Sequence, residues 1–204
     1  MKRFLSGLSL FLLLFGLGQN SAMAAWSFYL DNSNGDNVFE LWFRTDAPLI
    51  LDNYQLNFAY DTGEMVYKSH TNTPPGALTP DLFGAPNENN GAGDLRNFNA
   101  AVFLGTGASV STNIQLGTLT FNVLPGAVQD GTRDLSFAAT PGFGVTINSI
   151  FYNYRTFQDA GFAAQHIAYG SNLDIGSPVP IPAAGWLLGS GLMALIGLRR
   201  RSAA

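Results

Sequence analysis

The clearest hydrophobic pattern of the chain is an alternation at residues 54–61. Its apolar positions are Tyr54, Leu56, Phe58 and Tyr60, with Gln, Asn and Ala between them. A period of two places successive side chains on opposite faces, so the segment predicts a strand with one buried face. Further short runs rich in Phe, Tyr and Val, bounded by Gly, Asn and Asp, predict strands at 26–30, 38–45, 65–70, 98–104, 114–123, 135–138, 145–152, 165–169 and 173–175.

These strands predict an all-β domain at residues 25–177, an antiparallel β-sandwich of the jelly-roll type. No window of eleven or more residues in this region has the 3.6-residue period of an amphipathic helix. Roughly nine or ten short strands in about 150 residues are typical of such a sandwich, which can bury a core without disulfides. We expect residues 25–177 to fold on their own as a soluble monomer.

Two details of the predicted sandwich can be tested in a structure. Gly117 interrupts the strand at 114–123 and predicts a β-bulge there. Beyond the glycine, the alternation predicts that Leu119, Phe121 and Val123 point to one face. Residues 73–96 are rich in Pro, Gly and Asn and predict the longest irregular loop, over one end of the sandwich.

Two segments of this region resemble cohesin modules. Residues 54–61 (YQLNFAYD), followed by residues 65–67 (MVY), are similar to an early cohesin strand pair. Residues 114–123 (IQLGTLTFNV), with Gly131 and residues 135–137 (LSF), are similar to a later hairpin of the same modules. The resemblance implies the jelly-roll sandwich that cohesins share with carbohydrate-binding modules. Cohesins bind dockerin partners, but the similar positions face the core and imply no binding residue here.

The first 24 residues predict a signal peptide. Lys2 and Arg3 precede an apolar run rich in Phe and Leu at residues 4–17, and the small-residue pattern Ala22-Met23-Ala24 follows. The run is too short to anchor a protein permanently, so it enters the translocon while the basic end stays at the cytoplasmic surface. We expect signal peptidase to cleave after Ala24 and to leave Ala25 as the new N-terminus.

Residues 178–204 predict a segment that enters a membrane. Alternating prolines keep its beginning extended, and residues 183–198 carry no charge. As a helix these residues would span roughly 24 Å, which is short of the ~30 Å hydrocarbon core of a bilayer. A terminal arginine cluster stops transfer and keeps that end in the cytoplasm. The proline motif is Val179, Pro180, Ile181 and Pro182, and the stop-transfer residues are Arg199, Arg200 and Arg201.

In order, spacing and position this segment closely resembles the PEP-CTERM sorting signal in its VPLPA-like variant. The proline motif reads Val-Pro-Ile-Pro, and residues 186–192 (WLLGSGL) and the arginines follow it. The resemblance implies a protein of a Gram-negative bacterium whose precursor is anchored in the inner membrane. It also implies processing near the proline motif by an exosortase, a membrane cysteine protease, and transfer to the cell surface or the extracellular matrix.

Composition and charge exclude several classes of function. The chain has no cysteine, which excludes disulfides, thiolate metal sites and a cysteine nucleophile. All 14 acidic residues lie within residues 25–177, together with only five basic ones, so this body has a net charge of −9. An acidic body argues against nucleic acid as a partner.

Candidate catalytic residues are few. His70 and His166 are the only histidines, and they show no paired spacing for a metal. Ser109, Ser111 and Ser190 lack the G-x-S-x-G sequence of a nucleophile elbow. We therefore predict no catalytic residue and place each histidine at a strand end or in a loop.

The acidic residues offer two other kinds of chemistry. Asp61 and Glu64 lie close along the chain around a turn, and two facing carboxylates are what glycoside hydrolysis requires. Carboxylates and carbonyls in Asn-rich loops also suit calcium, although the spacing does not fit an EF-hand. The loop residues in question are Asp31 and Asp36 in one set and Asp81, Glu88 and Asp94 in another. Solvated turns are the simpler explanation of both sets, with calcium as the alternative, and we predict no required cofactor.

The leading hypothesis is an exported, non-catalytic surface or matrix protein that is adhesive or structural in exopolysaccharide or biofilm. Its partners would be an extracellular polysaccharide or a surface protein. An alternative is a carbohydrate-binding module that recognises a glycan with exposed aromatic rings. Trp26, Trp42 and Tyr152 are the candidate rings, and they suit a core equally well. A third alternative, an exported hydrolase, has the least support.

Overall fold

The strands and helices of the protein are seen in a computed structural model, which describes residues 26–88 and 92–178. Strands dominate this part of the chain, as the sequence predicts. They are β1 Trp26–Asp31, β2 Val38–Thr45, β3 Leu49–Tyr60, β4 Met65–Asn72, β5 Leu78–Pro80, β6 Asn87–Glu88, β7 Asp94–Val102, β8 Ala108–Val110, β9 Ile114–Val123, β10 Val128–Gln129, β11 Leu135–Phe137, β12 Gly144–Ile147, β13 Ile150–Asn153, β14 Ile167–Tyr169 and β15 Ser177–Pro178. The helices within these ranges are α1 Tyr154–Gln158 and α2 Ala160–His166.

Two sheets contain most of these strands. Sheet A has the order β14-β1-β2-β9-β4, and sheet B has the order β13-β12-β3-β7-β5. In sheet B, β8 and β11 also pair with β3, and β6 pairs with β7. Neighbouring strands are antiparallel except for β1 with β14 in sheet A and the separate β10–β15 pair. The predicted antiparallel all-β architecture is confirmed.

Aromatic rings from the two sheets meet in one core. The ring centroids of Phe28 in sheet A and Tyr54 in sheet B lie 6.4 Å apart. At the other end of β3, the ring of Tyr60 lies 5.1 Å from that of Phe121 in sheet A. The predicted buried face of β3 is confirmed, because Tyr54, Leu56, Phe58 and Tyr60 are all buried. Ring pairs of this kind bury large apolar areas and hold the two layers together.

The predicted bulge at Gly117 is present. The pairing of β2 with β9 shifts there, so that Leu41 faces Gly117 while Trp42 faces Gln115. Gly117 has a φ of +154°, and a Cβ atom at this position would collide with the carbonyl of Thr71. The bulge therefore needs glycine.

The alternation along β9 extends to Val123, but the burial of Leu119 and Phe121 does not. Both of those side chains are fully buried, whereas Val123 is 41% exposed. Val123 is the last residue of β9 and pairs with Met65, the first residue of β4. Val123 thus lies at the end of the β4–β9 ladder, where no side chains of the core cover it.

The single strand predicted at 145–152 is wrong. The structure has two strands there, β12 and β13, which pair as a hairpin. Asn148 and Ser149 form the turn with φ values of +50° and +64°. Two positive φ values match the twist of a two-residue hairpin loop, which usually contains glycine. Because this turn has no glycine, the sequence gives little sign of it.

The sequence predicts no helix in the sandwich region, yet α1 and α2 lie there. Asn153 caps α1 by accepting from the N–H groups of Arg155 and Thr156, and Asp159 caps α2 by accepting from that of Phe162. Helices of five and seven residues are too short for an eleven-residue window. Because α2 continues to His166, the strand predicted at 165–169 begins only at Ile167. In the part of the chain described, no helix is long and apolar enough to cross a membrane.

Three other predicted boundaries change. The loop predicted at 73–96 contains β5, β6 and the start of β7, all paired within sheet B. The strand predicted at 98–104 begins at Asp94 and ends at Val102. Residues 173–175 form no strand; Leu173 and Ile175 are buried as irregular chain.

Candidate functional site

The residues with the most specific predicted roles lie outside the described part of the chain. They are the signal-cleavage residues Ala22, Ala24 and Ala25, the proline motif Val179, Pro180, Ile181 and Pro182, and the stop-transfer residues Arg199, Arg200 and Arg201. Their roles stay predictions. The candidate site described below therefore belongs to the sandwich alone.

Four large apolar side chains lie exposed at one end of sheet B. Phe103 and Leu104, in the loop between β7 and β8, are 74% and 84% exposed. Ile150 and Phe151, at the start of β13, are 54% and 63% exposed. We call these four residues the apolar margin. Several large apolar side chains exposed at one end of a sheet are typical of interaction surfaces, whereas single exposed ones scattered over a protein are common.

Asp52 holds together the two loops that carry the apolar margin. Its Oδ1 accepts from the N–H of Gly107 at 3.3 Å, and its Oδ2 accepts from the N–H of Ser149 at 2.8 Å. One carboxylate thus joins the β7–β8 loop to the β12–β13 turn. The loops meet at the start of β3, so the apolar side chains next to them lie at the same end of the sheet.

A β-bulge makes this position of Asp52 possible. Leu51 faces Ile147 across β3 and β12, but Thr146 faces Asn53, so Asp52 has no residue opposite it on β12. Leu51 and Tyr54 are buried, while Asp52 and Asn53 between them are only half-buried. The extra residue turns Asp52 away from the core, which is how a bulge redirects a side chain.

Sheet A has no comparable surface. Its exposed large apolar side chains are Val66 and Val123, at 42% and 41%. Another exposed ring, Phe83 at 61%, belongs to the loop that joins β5 and β6 beside sheet B. Within the described ranges, the large apolar side chains that are more than half exposed therefore lie on sheet B or its loops.

The sandwich body that carries the apolar margin is strongly acidic, with 14 acidic residues against five basic ones, and at least two of those five basic side chains have close side-chain contacts. Arg44 stacks on Tyr29, with its guanidinium carbon 3.2 Å from the ring centroid. Arg96 pairs with Asp94, its Nε donating to Oδ2 at 2.7 Å. The net charge of −9 therefore favours a partner that carries positive charge.

The histidines lie in structural contacts. His70 lies inside β4 instead of at a strand end; its Nδ1 is 2.9 Å from the Tyr67 hydroxyl, and its Nε2 is 3.2 Å from Asp81 Oδ2. His166 ends α2 and stacks on Trp26 with ring centroids 4.0 Å apart. Burial lowers the pKa of His166, opposed by its bond to the Trp26 carbonyl. Within the described residues, the hydrogen bonds of the two histidine rings therefore go to Tyr67, Asp81 and the Trp26 carbonyl, and none goes to a serine.

A third carboxylate joins the predicted pair Asp61 and Glu64. Oxygen atoms of these two residues and of Asp134 all lie within 4.8 Å of one another, at the end of β3 opposite the apolar margin. Asp134 is only 2% exposed. Carboxylates at this spacing repel each other when all are ionised and therefore favour a shared proton.

The predicted calcium loops are used as turns. Asp31 Oδ1 accepts from the Ser171 N–H at 2.8 Å, and Asp36 Oδ1 accepts from the Val38 N–H at 2.8 Å. In the other set, Asp81 binds His70 as described above, Glu88 accepts from the Tyr60 hydroxyl, and Asp94 pairs with Arg96. Neither set forms a carboxylate cluster within the described residues. Calcium at these loops stays an untested expectation.

The three candidate rings for glycan binding are buried or half-buried. Trp26 is 5% exposed and lies among six rings. Tyr152 is half-buried, and its ring centroid lies 5.5 Å from that of Trp26. Trp42 is half-buried, and its Nε1 donates to Glu40 Oε2 at 3.2 Å. Within the described ranges the exposed rings are phenylalanines instead, which the sequence did not single out.

Similarity of this chain to known proteins is found among solved structures. The chain matches no family model, and it matches no curated protein. Its structure is similar to the seventh type I ScaB cohesin of Pseudobacteroides cellulosolvens, with 11% identity over 78% of this chain and 97% of that one, at a TM-score of 0.46. It is also similar to a type II cohesin of Bacteroides cellulosolvens, with 16% identity over 75% and 99% of the chains, at a TM-score of 0.43.

A third similar structure is the sixth cohesin of scaffoldin B from Acetivibrio cellulolyticus, solved in complex with a dockerin. It shares 15% identity over 61% of this chain and 88% of its own, at a TM-score of 0.42. The cohesin-like sandwich predicted from the sequence thus has cohesins among its structural neighbours. The fold itself rests on the strand pairing described above.

Proposed function

We propose that this protein is an exported, non-catalytic binding module that attaches a protein partner at the cell surface or in the extracellular matrix. The observation that supports the proposal is the apolar margin, where four large side chains are more than half exposed at one end of sheet B. Burying such side chains against a partner is favourable in proportion to the apolar area removed from water. A role in adhesion or matrix structure follows from that attachment.

The chemistry of the surface indicates the kind of partner. An apolar centre within an acidic body fits a protein surface with apolar anchors and a basic rim. The acidic charge speeds association with such a partner at low salt. A neutral glycan would use the exposed phenylalanine rings without needing the charge complementarity, so glycan binding is the competing outcome.

The experiment is capture from the surface fraction of the source cells by the immobilised sandwich. We expect Leu104→Ser with Phe151→Ser to reduce capture at least tenfold, because both side chains are already exposed and their loss should leave the fold intact. Val66→Ser with Val123→Ser is the matched control on sheet A and should capture normally. Protease treatment of the fraction should abolish capture, and periodate treatment should not. The reverse pattern would identify a glycan ligand and contradict the proposal.

Export and sorting complete the proposed function. Signal peptidase would release the chain at Ala25, and the C-terminal segment would hold it in the inner membrane until an exosortase processes it near the proline motif. The sequence features that support this are the basic start, the apolar run at residues 4–17 and the order of the last 26 residues. In this account the sandwich is the part that reaches the cell surface.

Replacing Pro180 and Pro182 together with Ala should leave the precursor in the membrane but unprocessed. An extended segment with fixed φ fits a protease cleft at low entropic cost, and alanine removes that restraint. Intact-mass spectrometry of inner-membrane and surface fractions measures the result. Replacing Arg199, Arg200 and Arg201 with Ser is the matched variant and should instead weaken membrane orientation. Normal trimming of the double-proline variant in a host with the exosortase would show that the segment is only an anchor.

A further inference from the structure

The last described residues, 173–178, are held against the end of the sandwich. The side chains of Leu173 and Ile175 are buried, at 3% and 4% exposure. β15 pairs with β10, and the Ser177 N–H donates to the Ala127 carbonyl at 3.0 Å. We call residues 173–178 the C-terminal clasp.

Asp134 joins the clasp to the sandwich. Its backbone N–H donates to the Leu173 carbonyl at 2.8 Å, and its Oδ2 accepts from the Ile175 N–H at 2.6 Å. Its own carbonyl accepts from the Asp61 N–H at 2.9 Å, at the end of β3. One residue, 2% exposed, thus connects the clasp to sheet B through three hydrogen bonds.

The charged groups that face Asp134 within the described ranges are all carboxylates. Asp61 faces it from the end of β3, Glu64 from the turn before β4, and Asp174 from the clasp itself. Glu64 Oε1 accepts from the Val128 N–H at 3.1 Å, but Glu64 Oε2 and Asp174 Oδ1 are buried without a hydrogen-bond partner. The cluster therefore gathers negative charge around a buried group.

The nearest cation along the chain does not offset this charge. Arg133 directly precedes Asp134, but its guanidinium carbon lies 3.9 Å from the ring centroid of Tyr169. Burial raises the pKa of Asp134 to about 7, opposed by the hydrogen bond from Ile175 and reinforced by Glu64 and Asp174. At mildly acidic pH Asp134 thus keeps its proton, which Glu64 can accept as a hydrogen bond.

We propose that the C-terminal clasp is a pH-sensitive latch, seated when Asp134 is protonated and opened when Asp134 is ionised, while the two sheets stay folded. Ionisation would bring another negative charge beside Glu64 and Asp174 in a buried position, and opening residues 173–178 relieves it. The clasp directly precedes the proline motif in the sequence. Its opening would therefore free residues 173–178, directly ahead of that motif.

The direction of the pH dependence follows from the two states of Asp134. The seated form binds the proton more tightly than the open form, in which the carboxyl meets water. Clasp stability is therefore complete below about pH 4, the ordinary pKa of an exposed Asp, and is lost as the pH rises from there to about 7. If Asp134 alone controls opening, the opening constant increases roughly tenfold per pH unit between about pH 4 and pH 7.

The test is hydrogen–deuterium exchange of the full chain in detergent, read by mass spectrometry from about pH 5 to about pH 8 and corrected for intrinsic exchange. We expect protection of peptides covering residues 173–178 to fall by roughly tenfold per pH unit below about pH 7, and protection of β9 to stay constant. Equal losses in both segments would mean that the whole sandwich opens and would overturn the latch.

Asp134→Asn should hold the clasp seated at every pH, because the amide keeps an acceptor for Ile175 and cannot ionise. Asp130→Asn, at an exposed position of the neighbouring loop, is the matched control and should keep the pH dependence. Glu64→Gln keeps the acceptor for Val128 and should move the transition to lower pH, which provides a second test if Asp134→Asn fails to fold.

Two results would overturn the proposal. One is an unchanged pH profile in both Asp134→Asn and Glu64→Gln. The other is restored protection at about pH 8 on adding millimolar Ca²⁺, since that would make the cluster a cation site instead of a proton latch.

Discussion

Replacing Phe121 with Ala should lower the free energy of unfolding by about 3–5 kcal/mol. Phe121 is fully buried, and its ring lies 5.1 Å from Tyr60 and 5.5 Å from Phe39. Its loss removes apolar surface from the core and leaves a cavity between the two sheets, which the surrounding side chains fill only in part. Denaturant unfolding of residues 25–178, followed by circular dichroism, measures the change.

Val123→Ala on the same strand is the matched control and should cost less than about 1 kcal/mol, because its side chain is already 41% exposed. The fragment itself should fold as a monomer, since it contains every core residue described above. Similar costs for the two variants would mean that burial along this face of β9 does not decrease from Phe121 to the end of the strand at Val123. A cost for Phe121→Ala below about 1 kcal/mol would contradict the sandwich packing directly.

Replacing Trp26 with Ala should destabilise the same fragment by about 3–5 kcal/mol. Trp26 is 5% exposed and contacts rings from both sheets and from α2. These rings are Phe28, Phe43, Tyr152, Phe157, Phe162 and His166, with centroids between 4.0 Å and 6.2 Å away. The second residue after the predicted cleavage site is therefore part of the core.

Trp42→Ala is the control for Trp26→Ala. Trp42 is half-buried on β2, so its replacement should lower the free energy of unfolding by only about 1 kcal/mol. The Trp26 variant should also increase the exchange of amides in α2, because His166 and Phe162 lose the ring on which they pack. An unchanged α2 would mean that these aromatic contacts contribute little to holding the helix.

The parts of the fold that the sequence predicts are those with a strong local signal. The alternation around Tyr54 and Phe58 identifies the central strand, because a one-residue shift would expose every apolar side chain on it. Gly117 identifies the bulge because no other residue fits its backbone. The cohesin-like pattern agrees with both features.

The parts that the sequence misses depend on contacts between distant residues. The turn at Asn148 and Ser149 is held in part by Asp52, about a hundred residues earlier in the chain, and no local pattern reports that bond. The acidic cluster likewise needs Asp134, which lies far along the chain from Glu64. A local signal does exist for α1 and α2, because Asn153 and Asp159 are good capping residues, but helices of five and seven residues are too short to show a 3.6-residue period.

The exposed phenylalanines illustrate a further limit of the sequence. Phe103 lies near the end of the strand predicted at 98–104, yet β7 ends at Val102 and Phe103 is 74% exposed. An apolar residue in a β-rich sequence is usually assigned to the core, so an interaction surface made of phenylalanine is hidden among core residues. Only the positions of the strand ends and the hydrogen bonds of Asp52 distinguish the exposed phenylalanines from those in the core.

The most direct test of the binding proposal is hydrogen–deuterium exchange of the sandwich with and without the partner recovered from the surface fraction. We predict that binding protects residues 103–107 and 148–153 and leaves β4 and the end of β9 in sheet A unchanged. Protection confined to sheet A, or to neither sheet, would contradict an interface at the apolar margin.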